Sequence, residues 1–434
     1  MNLKRPDIQL FIVTTALVLV GLLLVGSAGQ VLGAARGDAL YYLKSQLWKL
    51  LPGAALMLLL WRLGAARLAK LAKPALLVGM GLLVLVLLQD FGAESSGARR
   101  WLSLGLFSFQ PSEIVKLLLV LYLASRLART TERLGEFKHG LLPPLLVVLA
   151  ACGLLLLQPD LSTALLLFVT ALAMFWIAGV PGKHLLLTLA VLIPLVVVLV
   201  YLEPYRWARV TAFLDPWADA EASGYQIVQS LLAIGSGGLS GVGLGASQQK
   251  LFYLPEAHTD FIFSILGEEL GLLGGLAVLG LFVALVIIGL RIVKAARDPF
   301  SRLTALGVTV WLGLQALINI GVVTALLPTT GLPLPFISYG GSSLVVGLAA
   351  VGLLAGVARE NLAGAPSKVG EPLPESRVRR EPVASPAYSS RVERRSFERP
   401  HPRRSGGDRR SFSRSYNRPY GEIYARADRR RRWR

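Results

Sequence analysis

QQKLFYLPEAHTDFIFSILGEELG, residues 248–271, is the stretch on which the organisation of this 434-residue chain turns. It gathers Glu256, His258, Asp260, Glu268 and Glu269 in a protein that otherwise avoids acidic groups. It also closes the one long loop in a chain made almost entirely of membrane-length apolar runs. Ionisable groups set against hydrocarbon are costly, so this concentration at the mouth of a helix bundle reads first as a functional site. The plain alternative is that the carboxylates cap the next helix and pair with nearby Lys or Arg. Residue types alone leave the two readings level.

Working outward, composition fixes the class. The chain is 54% hydrophobic and 16% charged, with a mean hydropathy of +0.58. A soluble domain carries about a quarter charged residues. Apolar runs long enough to cross a ~30 Å hydrocarbon core as helices fall at about 9–29, 47–65, 74–90, 112–128, 141–157, 161–180, 184–203, 268–291, 303–326 and 342–358. The expected fold is an all-α polytopic membrane protein of about ten transmembrane helices. A large extracytoplasmic loop, 203–267, separates spans seven and eight within a membrane domain covering 1–358.

Lys and Arg set the orientation. Lys4, Arg5, Arg62, Arg67, Lys70, Lys73, Arg126, Arg129, Arg133, Lys138, Lys183, Arg291, Lys294, Arg297 and Arg302 all flank one side in short connections. Arg36, Lys44, Lys49, Arg99, Arg100, Arg206, Arg209 and Lys250 are spread over longer loops on the other. Both termini are therefore expected in the cytoplasm and the long loop outside. The first apolar run is longer than a signal-peptide core and more spans follow, so it reads as a retained anchor.

Residues 359–434 are a different material, with 21 Lys and Arg against 9 Asp and Glu and an abundance of Pro and Ser. Such a segment cannot bury enough apolar surface to offset its ordering entropy and is expected to be a disordered cytoplasmic tail. Beside an anionic inner leaflet, each basic residue gains about 1 kcal/mol. Membrane lipid is thus favoured as its contact, a protein partner next, and no nucleic acid is expected. The single Cys152 supplies neither a disulfide framework nor a zinc pattern.

Four outward segments carry chemistry. Gly97-Ala98-Arg99-Arg100-Trp101 is either an interfacial anchor or a clamp for phosphate, which guanidinium binds in bidentate fashion. Glu113 and Lys116 lie three apart on one face of the fourth span, as a site or as a staple between helices. In 158–163, QPDLST, Asp160 reads equally as a helix N-cap and as a site residue. Six glycines fall within 235–245. Gly241-Val242-Gly243-Leu244-Gly245-Ala246 formally matches a dinucleotide fingerprint, but no strand precedes it and it faces outward. Those glycines are expected to let backbone bend around a substrate or dip into the bilayer edge. Residues 328–343, PTTGLPLPFISYGGSS, hold three prolines and three glycines, and irregular backbone at membrane depth survives only where protein or a cavity shields it. Gln315 and Asn319, four apart on the ninth span, are expected to bond to a neighbouring helix.

GARRWL with FQPSE and Lys116, QPDLSTA, FLDPW, GYQIVQSLLAIGSGG, SQQKLFYLPEAHTDFIFSILGEELG and TGLPLPFISYGGSS together resemble the SEDS family, the shape, elongation, division and sporulation proteins of bacterial cell-wall synthesis. The likeness runs in order over about 8–358 and leans to the division-type members. Ser162 departs from it, standing where the family commonly has Gly. The resemblance implies a peptidoglycan glycosyltransferase in the bacterial cytoplasmic membrane, enriched at the division septum. Such an enzyme polymerises lipid II at the outer face and releases undecaprenyl diphosphate. Joining a sugar hydroxyl to an anomeric carbon that carries diphosphate needs one base and cationic stabilisation, not a glycosidase's two carboxyls. The family motif places the essential acid at Asp260. Arg100, Lys116, Arg206, Arg209 and Lys250 are then candidates for holding diphosphate, with Glu113, Asp160 and Ser338 as further substrate-site candidates. Glu256 and His258 stand as groups that tune Asp260 or help hold a divalent cation such as magnesium, though spacing assigns no metal ligands. The implied partners are a class B penicillin-binding protein transpeptidase and other divisome proteins. Two other classes remain: a flippase for the lipid-linked precursor, which would need a polar path through both leaflets, and a non-catalytic scaffold, which has no reason to concentrate carboxylates in PEAHTD.

Overall fold

The computed structural model describes residues 5–88, 92–95, 98–104 and 107–363. Residues 364–434, nearly all of the expected tail, lie outside the described residues. The described chain is mostly helical. In order run α1 (Pro6–Ala28), α2 (Gln30–Ala34), α3 (Tyr41–Leu63), α4 (Ala65–Leu68), α5 (Ala72–Leu87), α6 (Pro111–Arg129), α7 (Leu142–Leu157), α8 (Leu161–Ala178), α9 (Gly182–Tyr201), α10 (Pro204–Leu214), α11 (Tyr225–Gly237), α12 (Ile262–Ala295), α13 (Pro299–Val323) and α14 (Gly341–Ala363). A π-helical turn, Phe137–Leu141, leads into α7. Among the described residues seven helices are long and apolar enough to cross a membrane: α1, α7 with its leading turn, α8, α9, α12, α13 and α14. The protein is multi-pass.

Helix boundaries follow ordinary chemistry. α1, α6, α10 and α13 open on proline, whose missing N–H costs nothing in a first turn. Asp160 and Asp298 cap α8 and α13, accepting from Thr163 N at 3.1 Å and Ser301 N at 3.0 Å. α14 is largely buried, packed on α3 and α1, whereas α9 is almost wholly exposed. The core therefore lies among α1, α6, α12, α13 and α14.

Three elements depart from the sequence expectation. The connection from α5 to α6 folds into a three-stranded antiparallel meander, β1 (Gly92–Ser95), β2 (Ala98–Leu104) and β3 (Phe107–Phe109). Leu102 of β2 faces Gly92 on one side and Phe109 on the other. α10 occupies the start of the segment expected as the large loop, 203–267. Finally, α12 starts earlier than its apolar run and breaks at Gly271, with φ 67° and ψ −167°.

That break explains the glycine-rich segment. With Gly271 out of helical geometry, the carbonyls of Glu268 and Glu269 lose their intrahelical donors, as helix ends do. Val242 N and Gly243 N take those places at 3.0 and 3.1 Å, while Leu272 N and Leu273 N donate to Gly238 O and Leu239 O at 2.9 and 3.2 Å. A Cβ on Gly241 would collide with the Glu269 carbonyl. Gly241 thus presses backbone into the helix break.

Candidate functional site

Asp260 stands at the end of the loop, two residues before α12. Three successive carbonyls fix its backbone. Tyr339 N donates to His258 O at 2.9 Å, Ser338 Oγ to Thr259 O at 2.6 Å and Asn319 Nδ2 to Asp260 O at 2.7 Å. All three donors come from α13 and the irregular segment before α14. The proline-rich 328–343 stretch is thus a cradle for the Asp260 loop. Asn319 Nδ2 also reaches Leu332 O at 2.9 Å, joining both loops at one side chain.

The carboxylate itself has no hydrogen-bond partner among the described residues and is half-buried. Burial pushes it up to about 7, helped by the Glu256 charge and, less, by Asp160; Arg209 and Arg100 pull the other way. A carboxyl poised near neutrality beside two guanidinium groups, with its oxygens unengaged, is suited to accept a proton. His258 is held below its usual range by burial, against the opposing influence of Glu256. Its ring lies 4.7 Å from Tyr42 and 5.6 Å from Tyr339, centroid to centroid. Glu256 is exposed and accepts from Thr259 Oγ1 at 2.7 Å.

The cations divide by place. Arg209 donates to Thr329 O at 3.2 Å and to the Tyr205 hydroxyl, and its charge acts on Asp260. Arg100 donates from Nε to Gln158 O at 3.0 Å and from Nη2 to Pro159 O at 2.5 Å, which sets β2 on the QPD turn whose Asp160 caps α8. Arg206 turns to Leu199 O at 3.1 Å on α9, away from this group. Lys250 is buried and ion-paired with Glu269 at 3.3 Å, so its donors are already engaged. The plain alternative for the opening stretch therefore describes Glu269; among the described residues Glu268 neither caps α12 nor pairs with a cation, but accepts from Ser247 Oγ and the amides of Gln248 and Gln249.

Glu113 and Lys116 form a buried ion pair at 2.8 Å. Lys116 Nζ also donates to Gln315 Oε1 at 3.0 Å, and Gln315 Nε2 to Pro333 O at 2.9 Å. One turn along α13, Asn319 holds Leu332 and Asp260. Gln315 and Asn319 thus hold the neighbouring carbonyls of Pro333 and Leu332, so the ion pair is linked to the Asp260 backbone through one short stretch of loop. Gln315 bonds to a neighbouring helix, α6; Asn319 bonds to loops. Ser338 is a structural staple here, accepting from Leu334 N at 2.8 Å while donating to Thr259 O. Sequence reading missed Tyr339 and Tyr42 as neighbours of His258, because ring contact between distant segments leaves no local pattern. Among the described residues no three His, Cys, Asp or Glu groups gather as a metal cradle.

The family model of the cell cycle proteins FtsW, RodA and SpoVE matches residues 8–362. Two curated relatives are each named a probable peptidoglycan glycosyltransferase FtsW. That of Geobacter metallireducens is 41% identical over 82% of this chain and 95% of its own. That of Halorhodospira halophila is 48% identical over 80% and 89%. Among solved structures, a chain from a peptidoglycan synthase complex that coordinates polymerization and crosslinking aligns with a TM-score of 0.67 at 35% identity, covering 81% of this chain and 97% of that one.

Proposed function

This chain belongs to the FtsW, RodA and SpoVE family of cell cycle proteins, and from that premise we propose that it is a septal peptidoglycan glycosyltransferase acting on lipid II. The observation that carries the mechanism is the Asp260 carboxyl: poised near neutrality, without a hydrogen-bond partner among the described residues, and fixed through three backbone carbonyls. As the acceptor sugar hydroxyl attacks the anomeric carbon of the donor, Asp260 takes its proton. The carbon–oxygen bond to diphosphate breaks, undecaprenyl diphosphate leaves, and the anomeric configuration inverts. Arg209 and Arg100, the guanidinium groups whose charge acts on Asp260, are assigned to stabilise charge on the departing diphosphate. A divalent cation such as magnesium, if bound, would supply further charge neutralisation there.

The same reading includes ten spans. α3, α5 and α6 join the seven apolar helices: α3 and α6 are 23 and 19 residues long but carry charged side chains, and α5 is 16 residues and strongly apolar. The Lys and Arg distribution puts both termini in the cytoplasm of a bacterial cell and the Asp260 loop on the cell-wall side. A class B penicillin-binding protein is the expected partner that cross-links the product, with the enzyme concentrated at the septum.

The test uses purified full-length protein, with and without that transpeptidase, on labelled lipid II, beside Asp260→Asn. Glycan polymer from the wild type and its loss in Asp260→Asn are expected. Normal polymerisation by a well-inserted Asp260→Asn removes Asp260 as the base, and no polymer from the wild type under any pairing removes the activity.

A further inference from the structure

Lys250 Nζ sits at a junction of three chain segments. It donates to Ser27 Oγ of α1 at 3.0 Å, to Gly245 O at 2.6 Å and to Glu269 Oε1 at 3.3 Å. Ser27 Oγ itself donates to Glu269 Oε1 at 2.5 Å. The two charged side chains are 5% and 0% exposed. Next door, Glu268 gathers Ser247 Oγ and the Gln248 amide, so the loop is gripped by two consecutive carboxylates.

Those carboxylates lie at one end of residues 262–270, the piece of α12 before the Gly271 break. Nine helical residues span about 14 Å. Asp260 precedes the other end. Because Gly271 interrupts the helix, the membrane-crossing remainder of α12 does not by itself dictate the direction of this short piece. Its attitude depends on what holds its two ends. Asn319, Ser338 and Tyr339 hold the Asp260 end; at the other, the Val242 and Gly243 amides hold the backbone and the Lys250–Glu269–Ser27 junction holds the side chain.

Stability alone gives little reason for such a junction. A buried ion pair roughly cancels its own desolvation, and Glu269 Oε2 has no hydrogen-bond partner among the described residues. The best-attested use of such groups is to specify one arrangement over others. We propose that Lys250 and Glu269, bridged by Ser27, are positioning residues for Asp260, locking the 262–270 segment against α1 and so setting where the carboxylate stands at the outer mouth. Neither residue touches substrate. The inference rests on Asp260 being the base.

The experiment compares full-length wild type, Asp260→Asn, Ser27→Ala and the double variant Lys250→Met/Glu269→Gln, each with the transpeptidase partner on labelled lipid II. The double variant removes both charges together, so no orphaned charge is left in the core. Its kcat is expected to fall about 10-fold or more, as small misplacement of a reacting group does, with KM within about 2-fold of wild type. Ser27→Ala should show the same split more weakly, and it decides the matter if the double variant fails to accumulate. An unchanged kcat in these variants alongside an inactive Asp260→Asn overturns the proposal while leaving the base in place. A raised KM at unchanged kcat also overturns it, making Lys250 a substrate contact. Normal turnover by Asp260→Asn overturns the premise, and the proposal with it.

Discussion

Asn319 Nδ2 lies 2.7 Å from the carbonyl oxygen of Asp260, so a side chain on α13 fixes the backbone of a residue 59 positions earlier in the chain. The same nitrogen reaches Leu332 O, so one amide sets the spacing between the two irregular segments.

Replacing Asn319 with Leu keeps the branch at Cγ and removes both donor hydrogens. Each carbonyl left unsatisfied in a buried place costs about 1–3 kcal/mol. Asn319→Leu should therefore unfold at a lower temperature, and the folded fraction should polymerise lipid II at least about 10-fold more slowly, because the Asp260 loop loses its register. Thermal unfolding followed in detergent, with turnover normalised to folded protein, separates the two effects. Wild-type turnover per folded molecule would show that the other two backbone bonds suffice.

The near-neutral Asp260 makes a pH prediction with a definite sign. A base must be deprotonated, so kcat should rise with pH and reach half its plateau near pH 7, where burial places this carboxyl. Stability runs the other way. The folded-state value lies above the ordinary 3.8, so the contribution of this group is fully present below that value and is lost as pH rises through about 7. Asp260→Asn mimics the protonated form. It should lower polymerisation about 100-fold yet melt higher than wild type at pH 8, the difference shrinking as pH falls below 7. A melting difference of the opposite sign would mean the carboxylate is stabilised by a partner.

The sequence carried the membrane helices well, because a ~30 Å apolar layer demands long unbroken runs wherever they occur. It carried the Asp160 cap through capping chemistry. It did not carry the meander of β1 to β3, whose strands are short and whose pairing is settled by neighbours rather than by alternation. Nor did it reveal Lys250 as one half of a buried pair with Glu269, or Gly241 as a contact for the Gly271 break. Those facts depend on which distant segments meet, and a lysine near a loop looks the same whether it faces phosphate or a carboxylate.

Glu113 and Lys116 make a prediction about how their pair matters. Lys116→Met alone leaves Glu113 charged and without its counter-ion inside the protein, a change costing about 3–5 kcal/mol. Glu113→Gln with Lys116→Met removes both charges and should recover most of that stability. The double variant should still polymerise slowly, since Gln315 loses the cation that Lys116 supplies at 3.0 Å and the network to Asp260 is interrupted. Comparing melting and turnover across the two single variants and the double gives the coupling directly. Full turnover in the double variant would make the pair a helix staple and nothing more.

Arg100 gives the sharpest separation between charge and geometry. Its two bonds to Gln158 O and Pro159 O hold the QPD turn, each worth about 1 kcal/mol at a half-buried site. Its charge also draws Asp260 down, against burial and Glu256. Arg100→Ala removes both. The turn should loosen, and the acid limb of the kcat profile should move upward from about pH 7, because a cation that favoured the carboxylate is gone. Turnover at pH 7 should drop about 3- to 10-fold, a loss of roughly 1 kcal/mol in the barrier, and be partly regained at pH 8. Arg100→Lys keeps the charge without the planar fork that reaches two carbonyls at once. Its pH limb should stay near that of the wild type while its melting temperature falls as in Arg100→Ala. The discriminating measurement is kcat against pH for the three proteins. An Arg100→Ala profile that overlays the wild type, with KM for lipid II raised, would remove Arg100 from the electrostatics of Asp260 and from stabilising the departing charge, leaving it a contact that binds ground state and transition state alike.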